Sequence, residues 1–193
     1  ILRFTPPNNI LLIYGPLFAG EATHMNFNLI QSLLEQNIIP VFLVKNSTSS
    51  QIVEQHTMPF NNDLHWAYSN LRPHNNADIA SRSSLMQYTS EGHGKSQRTR
   101  VYSYLKPAYH LSPVRVEMSA TTLQHVRDTI TIEKLFGVLL HQFVLQGLGR
   151  NNQARLIAIA EKYARASLKS THVYQLAEKT GLVSTMNEAR GFS

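Results

Sequence analysis

Residues 9–44 read NILLIYGPLFAGEATHMNFNLIQSLLEQNIIPVFLV, and this stretch decides the fold. The opening run NILLIY is almost wholly apolar and lies between Pro6-Pro7 and Gly15-Pro16. It reads as a buried strand over about 9–14. From 21 to 36, Met25, Leu29, Ile30, Leu33 and Leu34 recur at helical spacing and define one apolar face, with Asn37 as a stop. The run IIPVFLV over about 38–44 reads as a second buried strand, closed by the polar turn at 45–50. Strand, helix, strand over so short a span is a βαβ unit, whose strands are expected to be parallel.

Working outward, the chain becomes less periodic. Residues 64–68 suit a short strand or a turn of helix, and 75–97 read as a long loop. Residues 99–105 (TRVYSYL) alternate as a strand does, and 114–118 form another. Beyond 119 the pattern is helical. Helices are expected over about 121–129, 133–145, 152–168 and 172–180. The predicted fold class is therefore α/β: an N-terminal βαβ unit, a mixed middle region and a helical C-terminal half. All 193 residues are expected in one domain, with an α/β part over about 1–118 and a helical part over 119–193.

Composition narrows the function classes. Cysteine is absent, which removes disulfides, thiolate catalysis and Cys-based zinc sites. No apolar run approaches the ~20 residues of a membrane span, so a soluble protein is expected, intracellular rather than secreted. The chain starts at Ile1, as a processed product or an excerpt does. The formal charge of +6 is unevenly spread. Residues 1–75 hold three basic and four acidic side chains, and residues 76–193 hold fifteen and eight. A basic back half favours an anionic partner.

The leading candidate site lies between 93 and 115. Lys95, Arg98, Arg100, Lys106 and Arg115 fall in a stretch with no acid between Glu91 and Glu117, interleaved with Tyr102, Tyr104 and Tyr109. Cations attract phosphodiesters and aromatic faces stack bases. On a strand, Arg98, Arg100, Tyr102 and Tyr104 share one face. The alternative for the same residues is an edge strand with solvated arginines and half-buried tyrosines.

The second candidate is the turn holding Gly15, Gly20, Thr23 and His24. Gly15, Pro16, Phe18 and Gly20 make it resemble the Gly-Pro-x-Phe-x-Gly phosphate loop of thymidine kinases. Glu21 stands where that family has Lys, and Ala22 where it has a hydroxyl residue. The span from Gly20 to His24, with the helix and strand behind it, is also similar to the first βαβ unit of two-domain glycosyltransferases. In that family this loop faces the sugar donor and acceptor. These resemblances imply a nucleotide- or nucleotide-sugar-binding transferase domain.

Other patterns are weaker. Arg155, Lys162 and Lys169 recur every seven residues along one helical face, as a phosphate-contacting stripe or a solvated side does. Ala177 and Gly181 resemble the packing residues of a helix-turn-helix, over 173–190. Nine histidines are present without metal-ligand spacing, and His141 is expected in the core. No catalytic triad can be assembled. The sequence therefore predicts a non-catalytic polyanion-binding protein, bound to RNA rather than DNA, with protein partners in a larger assembly and no cofactor or metal. The transferase domain and a purely structural subunit are the alternatives.

Overall fold

The computed structural model describes residues 9–71, 80–91, 97–146 and 153–169. The βαβ unit stands as expected. Strand β1 (Ile10–Tyr14), helix α1 (Ala22–Leu34) and strand β2 (Ile39–Val44) follow in order, and β1 pairs with β2 in parallel from Ile10↔Ile39 to Tyr14↔Leu43. Asn37 closes α1 at φ 54°, the left-handed region that Asn tolerates. The two strands differ in burial. Every residue of β2 is buried, but β1 is half-buried because it forms the sheet edge.

The middle region is more structured than its sequence suggests. Helices α2 (Gln51–Gln55) and α3 (Asp63–Asn70) occupy it, so residues 64–68 are helical. Asn62 caps α3 by accepting from His65 N. The expected loop at 75–97 contains strands β3 (Ser81–Arg82) and β4 (Met86–Glu91). Strand β5 (Gln97–Lys106) pairs antiparallel with both, and strand β6 (Val114–Ser119) pairs antiparallel with β5 and β2. The sheet order is β1-β2-β6-β5-β3, with β4 also on β5. Arg82 opposes Leu105 and Met86 opposes Tyr102, so β3–β4 carries one extra residue there, as a bulge does. Ser83 fills the break: its N–H donates to Tyr104 O and its Oγ accepts from Tyr104 N.

Helices α4 (Ala120–Thr129) and α5 (Ile132–Leu145) follow β6, and α6 (Arg155–Lys169) ends the described part. Ser119 and Thr131 cap α4 and α5 through their hydroxyls. α4 packs across β2, β5 and β6, and α5 packs on α4. α5 buries Leu135, Phe136, Leu139 and Phe143, while His141 is exposed rather than in the core. The expected helix at 172–180 and the helix-turn-helix resemblance lie outside the described residues. Residue contacts divide the chain into two compact units, Ile1–Arg155 and Leu156–Ser193. Among the described residues no helix is long and apolar enough to cross a membrane.

Register fixes which side chains share a face. Directly opposed residues point the same way. Phe42, Glu117, Tyr102 and Met86 form one such row, and Val44, Arg115 and Tyr104 a second. Two apolar clusters cover this face. Leu17, Ile30 and Phe42 pack together with Phe18, Phe27 and Leu34 around them. Ile52 and Ala67 pack on Tyr102 and Tyr104. The inward side of α1 is thus Phe27, Ile30, Leu33 and Leu34, while Met25, 71% exposed, points away from it. The alternate residues Val41, Leu43, Val101, Val116 and Met118 point to the other face and are buried as well.

Candidate nucleic-acid interface

The segment between β1 and α1 does not make a tight turn at the strand end. It runs across the covered face of the sheet. Leu17 N–H donates to Glu117 Oε2 at 2.6 Å, and Phe18 reaches the Tyr88 ring at 5.9 Å. This path brings the first turn of α1 to the start of β5. There Arg98 Nη2 lies 3.0 Å from His24 Nδ1 and its guanidinium stands 5.5 Å from the Phe27 ring centre. The two stretches singled out in the sequence therefore meet at one point of the surface.

Beyond Arg98, the strip turns inward. Arg100 and Arg115 are buried and converge on Glu117, a carboxylate with no exposure. Arg100 Nη1 and Arg115 Nε lie 3.1 and 2.6 Å from Glu117 Oε1. Arg100 Nη2 donates to Gln51 Oε1 at 2.8 Å, and Arg115 Nη1 donates to Ser47 Oγ at 2.5 Å. The Arg100 guanidinium also stacks among Phe18, Tyr88 and Tyr102 at 5.1 to 5.3 Å. Burial lowers the pKa of Arg100, and Glu117 opposes that shift.

Beside this network, Asp63 serves as the cap of α2. Its Oδ1 accepts from Ile52 N and Val53 N at 2.8 and 3.1 Å, and its Oδ2 accepts from Ser49 Oγ at 3.0 Å. A carboxylate at a helix N-terminus meets free N–H groups and the positive dipole end. The Tyr104 hydroxyl reaches Asp63 Oδ2 at 3.5 Å. Burial raises the pKa of Tyr104 to about 12 and raises that of Tyr102, with the Asp63 charge adding to both.

Lys106, at the far end of β5, is also buried. Its Nζ donates to Tyr68 O at 2.8 Å and sits 4.2 Å from the Tyr68 ring centre. Tyr109, which is 61% exposed, lies 5.5 Å from the same ammonium. Of the predicted strip, Arg98 is thus half-exposed, while Arg100, Tyr102, Tyr104, Lys106 and Arg115 are buried. Lys95 lies outside the described residues. The shared face of Arg100, Tyr102 and Tyr104 is real, but helices α2 and α3 and the 15–21 segment cover it.

In the turn, Gly15 and Gly20 take φ of 127° and 56°, conformations that glycine adopts without a steric cost. Five N–H groups of the turn are engaged within the protein. Gly15 N donates to Leu43 O, Leu17 N to Glu117, Ala19 N to Thr23 Oγ1, Ala22 N to Ala19 O and Thr23 N to Gly20 O. The protein's own carboxylate occupies the position that a bound anion would take at Leu17. Sequence reasoning missed Tyr88, Gln51 and Glu117 as site residues and placed Phe18 only in the phosphate-loop resemblance. Glu117 had one signal: it is the acid that ends the acid-free stretch.

No group of metal-ligating side chains assembles among the described residues. No protein family, curated protein or solved structure matches the chain.

Proposed function

We propose that the chain is a non-catalytic polyanion-binding protein that holds RNA, within a larger assembly, where the first turn of α1 meets β4 and β5. The observation that carries this reading is the pairing of Arg98 with His24 at the surface. Arg98 keeps donors for a phosphate oxygen, and the exposed His24 ring stands beside it as a second polar partner. Ser90 opposes Arg98 across the strand pair, and Tyr88, 39% exposed, stands one row further along. An accessible phenol face beside a guanidinium suits a stacked base whose phosphate lies on the cation. The buried cations shape this surface instead of contacting the ligand: Arg100 holds Phe18 and Tyr88 from below.

The transferase domain is the second reading, disfavoured by the five N–H groups of its turn that are bonded within the protein. The test is fluorescence anisotropy of labelled single-stranded RNA against salt. Arg98→Ala should weaken binding and reduce the slope of log K against log salt by roughly one. An unchanged affinity and slope would remove the assignment.

A further inference from the structure

Tyr88, Ser90, Arg98 and Arg100 frame the proposed site where β4 meets β5. Tyr88 stands opposite Arg100 and Ser90 opposite Arg98, and directly opposed residues point the same way. Arg100 is buried and bonded to Gln51 and Glu117. Arg98 lies against His24 and Phe27, and the Tyr88 ring meets Phe18 and Arg100. Ser90 completes the frame, and it is half-buried.

Ser90 is a hydroxyl set opposite the wrong complement. On the other face of the same strand pair, Thr89 and Thr99 oppose each other, and their hydroxyls bond at 3.0 Å. There one hydroxyl donates and the other accepts. A guanidinium has donors only, so the Ser90 O–H finds no acceptor across the strand at Arg98. Among the described residues no other group takes that proton. The hydroxyl is therefore available to a ligand on this face.

The ligand atom follows from the frame, and this step rests on the RNA reading of the site. A base stacked on Tyr88 and a phosphate on Arg98 occupy a diagonal of the strand pair, about 7–8 Å between residues. The sugar joining them crosses between the remaining two corners, Arg100 and Ser90. Arg100 is buried beneath the rings, which leaves Ser90 as the side chain the sugar meets. A ribose presents a 2′-hydroxyl there, both donor and acceptor, where deoxyribose presents only C–H.

We infer that Ser90 is the specificity-determining residue by which this site prefers ribose to deoxyribose, through a hydrogen bond between its Oγ and the 2′-hydroxyl.

The test uses the full chain with labelled oligouridylate and the 2′-deoxy oligomer of the same base and length, read by anisotropy at one salt concentration. The parent should bind the ribose polymer about five-fold more tightly, the worth of one hydrogen bond. Ser90→Ala should bring the two affinities together by weakening the ribose polymer alone. Ser90→Thr, which keeps the hydroxyl and suits a strand, should retain the preference. Arg98→Ala should weaken both polymers and leave their ratio unchanged. Equal binding of the two polymers by the parent, with both weakened in Arg98→Ala, would overturn the inference and leave the phosphate site standing. Equal weakening of both polymers in Ser90→Ala would overturn it too, by assigning the hydroxyl to phosphate. Binding of neither polymer by the parent would overturn the inference together with the RNA reading.

Discussion

His24 Nδ1 and Arg98 Nη2 lie 3.0 Å apart across 74 residues of chain. A guanidinium only donates, so Arg98 donates to His24 Nδ1. Asn28 Nδ2 lies 3.2 Å from His24 Nε2. The Arg98–His24 contact links the N-terminal helix to the β4–β5 edge. A phosphate bound between the two side chains would be held by both at once, which couples their contributions.

That coupling predicts non-additivity. His24→Ala and Arg98→Ala should each weaken RNA binding, and the double variant should lose less than the sum of the two. Residues in direct contact couple by about 0.5–3 kcal/mol. Anisotropy titrations of all four proteins at one salt concentration measure the cycle. Strict additivity would mean that the two side chains do not share a phosphate.

Leu33→Ala should cost about 2–5 kcal/mol, whereas Gln31→Ala should stay within about 0.5 kcal/mol. Leu33 has no exposure, and Gln31 points to solvent, where it bonds Glu35. Urea midpoints compared at equal slopes separate the two. Coincident midpoints would show that α1 does not cover the sheet through Leu33.

The βαβ unit was legible because period and length spoke together. A continuous apolar run, one helical stripe and a second run admit few arrangements. Whether NILLIY or IIPVFLV lay at the edge was not legible, since both are equally apolar and the neighbour of β2 is a strand over 70 residues away. α2 escaped because QIVEQ is too short to display a helical period. β4 escaped because MQYTSE carries only two large apolar side chains in a polar neighbourhood. For the candidate site, alternation correctly placed Arg100, Tyr102 and Tyr104 on one face. It says nothing about what covers that face. The cover comes from Leu17 and Phe18, and the compensating charge is Glu117, whose carboxylate meets Leu17 N–H across 100 residues. Long-range pairing of that kind leaves no periodic trace.

Glu117→Ala should destabilise the protein by about 3–5 kcal/mol, because it strands two buried guanidiniums without a counter-charge. Arg100 Nε has no hydrogen-bond partner among the described residues, so the network holds little in reserve. Chemical denaturation gives the loss. A change under about 1 kcal/mol would mean that solvent enters and screens the pair.

Tyr104 makes the last prediction, at alkaline pH. Its folded-state pKa of about 12 exceeds the ordinary 10.0. Above pH 10 the unfolded chain ionises this phenol while the folded chain keeps it neutral, so the unfolded state binds fewer protons and stability falls with rising pH. The contribution is fully present below pH 10 and is lost as pH rises through about 12. The gap corresponds to roughly 2–3 kcal/mol. Tyr104→Phe removes the titrating proton together with the phenol's contacts to Asp63, at 3.5 Å, and to Arg115 and Ser47. The variant should therefore be somewhat less stable than the parent near neutrality and lose less stability on alkaline titration. Urea midpoints at pH 8 and pH 11 measure both arms. If the parent and Tyr104→Phe lose stability equally between the two, the phenol is not held neutral by burial.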